Sequence, residues 1–100
     1  MNEKIKSDAA DLLFDAILQL KTREECYTLF SDLCTAHEVQ SLAQRLEVAK
    51  LLRDGETYQS IAAKTGASTA TISRVNRSIT DSNGGYDIVF ERLKDRNEKK

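Results

Sequence analysis

The chain is almost without punctuation. It has no proline, and its four glycines, Gly55, Gly66, Gly84 and Gly85, all fall in the second half of its 100 residues. A backbone that lacks proline's fixed φ and missing N–H, and carries so little glycine, favours long uninterrupted helices over a turn-rich sheet. The apolar residues agree. Ile5, Ala9, Leu12, Leu13, Ala16, Ile17 and Leu20 recur at spacings of three and four, and this predicts one stripe on a helix of roughly 17 residues. Phe14 and Leu18 lie off the stripe and widen it. A small domain rarely covers so broad a face, so this helix reads as a partner-binding element.

Capping signals divide the rest of the chain. Thr22 and Glu25 form a capping box, in which hydroxyl and carboxylate each satisfy an otherwise orphan backbone N–H. Cys26, Leu29, Phe30, Leu33 and Cys34 come next, at helical spacing. Thr35 and Glu38 form a second box. It opens a helix with Val39, Leu42, Ala43, Leu46, Ala49 and Leu52 inward, and Asp54 and Gly55 end it with a left-handed C-cap. Further on, Asp81 to Gly85 reads as a turn. Tyr86, Val89, Phe90 and Leu93 then give the stripe of a last helix, and the polar tail from Lys94 to Lys100 is expected to fray. No internal repeat and no strand-like alternation is visible. The expectation is a single all-α domain over residues 1–100 with about six helices. Residues 1–54 would supply the dimerisation helices, 57–79 a helix-turn-helix, and 86–96 the C-terminal helix.

Several function classes find no support. Hydrophobic and charged fractions of 40% and 31% are those of a soluble globular protein. No apolar run approaches a membrane span, and the start, MNEKIKSDAADLL, has charges where a signal peptide needs an apolar core. A cytoplasmic protein is expected. Cys26 and Cys34 are too far apart on one helix for a disulfide and lack zinc-site spacing, so they read as small core hydrophobes. His37 is the only histidine and falls in a first helical turn, where it reads as exposed. No metal site, cofactor or enzymatic activity is expected.

The function lies in the distribution of charge. The net charge is −1, yet residues 57–80 hold Lys64, Arg74 and Arg77 and no acid, whereas residues 1–56 hold 11 acids against 7 bases. Within that stretch Thr57 can cap a short helix, Tyr58 to Thr65, and Gly66 can stop it. Ser68 can cap a second helix from Thr69 to about Ile79. Ile61, Ala67, Ile72 and Val75 occupy the positions that must face inward, and Ala62 is small enough for the helices to cross closely. These requirements hold together over 57–79 and define a helix-turn-helix; two ordinary amphipathic helices are the competing reading. The second helix would present Ser68, Thr69, Ala70, Thr71, Ser73, Arg74 and Arg77 to the major groove of double-stranded DNA. Lys64 and Arg77, with Gln59, suit phosphate contacts. A carboxylate here would face phosphates and oppose docking, which accounts for the acid-free stretch.

The run TAHEVQSLAQR (Thr35 to Arg45), Leu51, Leu52, Gly55, Gln59 and the run GASTATISR (Gly66 to Arg74) resemble the Trp repressor family. The resemblance covers most of the chain and is closest to the YerC/YecD-type Trp-repressor-related proteins. It implies an intertwined homodimer, in which the N-terminal helices of one chain wrap around those of the other. It further implies a transcriptional repressor whose paired recognition helices meet a near-palindromic operator. In that family two arginines sandwich the indole and bind the carboxylate of L-tryptophan. Their matching positions are Arg45 and Arg74, and Thr35 and Ser78 match polar residues of the same pocket. Departures from the pattern count against tryptophan as corepressor. Val75 stands where the family has glycine, Asp32, Leu33 and Cys34 replace apolar residues, and the first helix of the motif is one residue shorter. The competing class is a protein-interaction module on the same fold, such as an antitoxin-like or polymerase-associated adaptor, which the low net positive charge favours.

Overall fold

The structure is a computed structural model and describes residues 4–81 and 84–98. Among these residues there are six helices and no strand. They run α1 Asp8–Ile17, α2 Arg23–Leu33, α3 Ala36–Arg53, α4 Tyr58–Thr65, α5 Thr69–Thr80 and α6 Gly85–Glu98. None of the described helices is long and apolar enough to cross a membrane. The chain divides into two compact units, Met1–Val39 and Gln40–Lys100. The boundary falls inside α3. The reason is that the second half of α3 supplies Val48 and Ala49 to the same core as the helix-turn-helix.

In the first unit, α1 spans only 10 residues rather than the full stripe. Ser7 sets its start, accepting the Ala10 N–H on Oγ at 3.0 Å, with Asp8 and Asp11 favouring the positive end of the helix. Its end tightens: the N–H groups of Gln19 and Leu20 donate to the carbonyls three residues back, at 3.1 Å each. Ile5 and Leu20 therefore lie outside the helix. The Thr22 box forms with a shift. Thr22 accepts the Glu25 N–H at 3.1 Å, but the Glu25 carboxylate takes the N–H of Lys21, at 2.7 Å. Neither α1 nor α2 has a buried residue. Cys26 is exposed and Cys34 half-buried, so the expectation of core cysteines fails in a single chain. The Thr35–Glu38 box closes reciprocally, at 3.1 and 2.8 Å. The Thr35 backbone N–H first, and its side-chain hydroxyl second, hold the Glu38 carboxyl below its ordinary pKa. His37 is exposed, as expected.

In the second unit the core is Val48 and Ala49 of α3, Ile61 of α4, Ala67 of the turn, and Ile72 and Val75 of α5. Leu51, Leu52, Tyr58, Ala62, Ile79, Tyr86 and Phe90 pack around it. The inward face of α3 differs from the one expected. Val48, absent from the expected set, is fully buried, while Leu42, Ala43 and Leu46 are exposed. The only residues that α3 buries in the core with the helix-turn-helix are Val48 and Ala49 in its second half, and Ala43, Leu46, Phe90 and Leu93 line an open groove. Helix α6 continues to Glu98, past the residue 96 expected from sequence, and residues 99–100 of the tail lie outside the described residues. So do residues 82–83, the middle of the turn expected before α6. Arg53 ties α6 to α3. It pairs with Asp87, donates to Glu91 at 3.2 Å, and lies over the Phe90 ring, 5.4 Å from its centre.

Candidate nucleic-acid interface

Helices α4 and α5 and the three residues between them follow the expected plan closely. The Thr57 hydroxyl accepts the Ser60 N–H at 3.1 Å and the Ser68 hydroxyl accepts the Thr71 N–H at 3.1 Å, so each helix begins with a side-chain cap. Both capping residues have the same extended backbone, φ −72° and ψ 158°. Gly66 ends α4 at φ +73°, in the left-handed region, and its N–H donates to the Ala62 carbonyl at 2.9 Å. Thr65 stiffens the turn: its hydroxyl donates to the Ile61 carbonyl at 2.7 Å and accepts the Ala67 N–H at 3.1 Å. Gln44 of α3 then donates to the Thr65 carbonyl at 3.2 Å. Sequence reasoning missed this contact. Its only signal was an amide on the half of α3 that faces the motif, which can satisfy one of the orphan carbonyls at the end of α4.

Buried Ile72 and Val75 fix which side of α5 faces outward. Ala70, Arg74 and Arg77 recur at spacings of four and three, on one exposed stripe opposite the core. Ser68 and Thr69 at the N-terminus, and Gln59 and Lys64 on α4, are also exposed. Thr71 and Ser73 are not part of the open stripe: both are half-buried at its flanks. The Thr71 hydroxyl also accepts a hydrogen bond from the Ser68 hydroxyl at 3.1 Å, which couples it to the cap. The cations are unequal too. Among the described residues Arg74 and Arg77 make no ion pair, whereas Lys64 Nζ lies 2.7 Å from Glu56 Oε1. Lys64 first, and Ser60 second, hold the Glu56 carboxyl below its ordinary pKa.

The residues matched to an effector pocket have other local roles. Thr35 caps α3. Half-buried Arg45 donates through Nη2 to Ser41 Oγ at 3.4 Å. Ser78 donates to the Arg74 carbonyl at 3.2 Å. Val75 is 2% exposed and fills the core beneath α5.

A capped pair of short helices on a helical scaffold, with small and cationic side chains outward, defines a helix-turn-helix protein. The comparisons sharpen that class. The Trp repressor protein family model matches residues 8–94. YerC of Bacillus subtilis (strain 168), described as uncharacterized, is 54% identical over 93 residues, covering 93% of this chain and 89% of YerC. The crystal structure of a TrpR-like protein from Eubacterium eligens ATCC 27750 superposes with a TM-score of 0.90 at 60% identity, covering 93% of this chain and 96% of that one. A crystal structure from Staphylococcus aureus superposes with a TM-score of 0.89 at 54% identity, covering 92% of each chain. The chain belongs to the Trp repressor family.

Proposed function

We propose that the protein is a sequence-specific DNA-binding regulator of transcription, a repressor, that acts as a homodimer on a near-palindromic operator. The observation that carries this reading is the outward stripe Ala70, Arg74 and Arg77 on a capped α5, in a stretch without a carboxylate from Thr57 to Thr80. In this reading the small side chains at the N-terminus of α5 let the backbone approach base edges, and Arg74 and Arg77 meet phosphates. Such a protein works in the cytoplasm, where bacterial DNA lies. The family it belongs to is described by a repressor, not by an enzyme, which supports this reading.

Exposed apolar side chains support the dimer. Leu12 and Leu18 of α1 are 72% and 77% exposed, and Phe14, Leu33, Leu42 and Leu46 are exposed as well. Apolar side chains this exposed suit contact with a partner protein. The family resemblance supplies its form, in which the N-terminal helices of two chains intertwine. Two recognition helices then meet successive turns of the duplex.

The test is selection of bound fragments from a random DNA pool, which reads binding and half-site spacing together. A palindromic consensus is expected; no enrichment of any sequence would overturn the proposal. Arg77→Ala should weaken binding to all sequences alike, whereas Ala70→Glu should abolish it. Tryptophan is not the effector in this reading, because buried Val75 takes the place of the glycine that leaves room for the ring. Calorimetry with L-tryptophan should give no heat, and binding that disappears in Arg45→Ala would overturn that part.

A further inference from the structure

Glu56 stands one residue before the cap of α4, at the edge of the acid-free stretch. Its side chain does not turn away from that stretch. Oε1 accepts the Ser60 hydroxyl at 2.6 Å and the Lys64 ammonium at 2.7 Å, so positions 56, 60 and 64 form a ladder along one face of α4. The two ends of the ladder differ in freedom. The Glu56 side chain is 24% exposed and held by two donors, while that of Lys64 is 56% exposed and, among the described residues, held by Glu56 alone. A fixed carboxylate therefore neutralises one of the three cations in the helix-turn-helix, and it does so with an ammonium that can swing outward.

We infer that Glu56 is a mask: it competes with DNA phosphate for Lys64 and thereby lowers the sequence-independent affinity of the helix-turn-helix. The inference rests on the DNA-binding reading above. A phosphate that takes Lys64 must displace an internal anion, so the contact returns less than one made by an unpaired cation. The same arrangement leaves base contacts by α5 untouched, because Glu56 lies before α4. A purely structural ion pair at this exposure would contribute little to stability and nothing to DNA affinity.

The experiment titrates a fluorescent random-sequence DNA duplex with the full-length protein, Glu56→Gln, Lys64→Ala and the double variant, over a range of salt. The amide oxygen introduced by Glu56→Gln would still accept the Ser60 hydroxyl, so the ladder loses only its charge. Glu56→Gln should bind about three- to tenfold tighter at low salt, with a log–log salt slope steeper by about 0.9 for each phosphate newly neutralised. Lys64→Ala should cost the parent less than about twofold and should erase the whole gain in the double variant. A parent that binds while Glu56→Gln keeps its affinity and slope overturns the mask and leaves the DNA-binding reading standing. So does an equal cost of Lys64→Ala in both backgrounds. If Glu56→Gln does not fold, a loss above about threefold for Lys64→Ala in the parent overturns the mask by itself. Binding by Glu56→Gln alone supports it, and binding by neither protein sinks both readings.

Discussion

Helices α1 and α2 and helices α4 and α5 are built from similar material and end in opposite conditions. Both pairs carry apolar residues at helical spacing, and both begin with side-chain caps at Ser7, Thr22, Thr57 and Ser68. Yet α4 and α5 bury Ile61, Ile72 and Val75, whereas α1 and α2 bury nothing. The difference lies in what each pair packs against inside one chain. The helix-turn-helix has the end of α3 beneath it, with Val48 and Ala49 fully buried at the contact. Capping and periodicity are thus enough to shape a helix but not to bury it. Burial needs a second surface, and for α1 and α2 the proposed partner protomer supplies it.

Core truncation should separate the two helix pairs most sharply. Ile72→Ala should cost about 2–5 kcal/mol in urea denaturation, because Ile72 is fully buried and its loss leaves a cavity. Leu12→Ala and Leu18→Ala should leave the circular dichroism of dilute protein nearly unchanged. They should instead shift the concentration at which dimer forms in sedimentation. If the Leu variants destabilise dilute protein as much as Ile72→Ala, the two regions are not distinct in the way described.

A smaller effect separates the turns. Gly66→Ala meets no atom within 4 Å, so its cost is backbone strain at φ +73° alone, about 1–2 kcal/mol. That cost should appear in both stability and DNA affinity, since Gly66 sets how α5 leaves α4. A loss of stability without any loss of affinity would separate the turn from the proposed function. Smaller again, Ser68→Ala and Ser7→Ala should cost about 1 kcal/mol or less each as lost caps. Only Ser68→Ala should alter DNA binding as well, because the Ser68 hydroxyl also orients Thr71.

Legibility in the sequence divides along the same line. The helix-turn-helix is legible because its determinants are local: two capping hydroxyls, one glycine and four inward apolar residues all lie within 57–79. Its outward face is legible except for Thr71 and Ser73, whose partial burial depends on side-chain orientation beside the cap. The apolar stripe overstates the length of α1 because it continues past the bonds that end the helix. Ser7 carries the signal for the start of α1, a cap that the stripe overruns. Contacts that join distant positions leave at most a faint signal in the sequence. Gln44 reaches Thr65 and Arg53 reaches Asp87 and Glu91 only after the helices have packed, and no spacing rule encodes that meeting.

The smallest effect compares one carboxylate from each unit. Glu38 and Glu56 both have a pKa lowered in the folded chain, Glu38 by Thr35 and Glu56 chiefly by Lys64. A lowered folded pKa means the folded state holds fewer protons than the unfolded state between the two values. Each group therefore contributes stability that is fully present above its unfolded pKa and lost as pH falls through its folded pKa. The two causes are independent. Thr35→Ala should return Glu38 only part of the way toward its ordinary value and leave Glu56 in place, because it removes the hydroxyl but keeps the backbone N–H that is the larger cause. Lys64→Ala should do the reverse. Carboxyl-carbon NMR titration of the three proteins separates the cases. If Lys64→Ala leaves Glu56 where it was, Ser60 and not the ammonium holds that carboxylate, and the ion pair that distinguishes Lys64 from Arg74 and Arg77 does not form in solution.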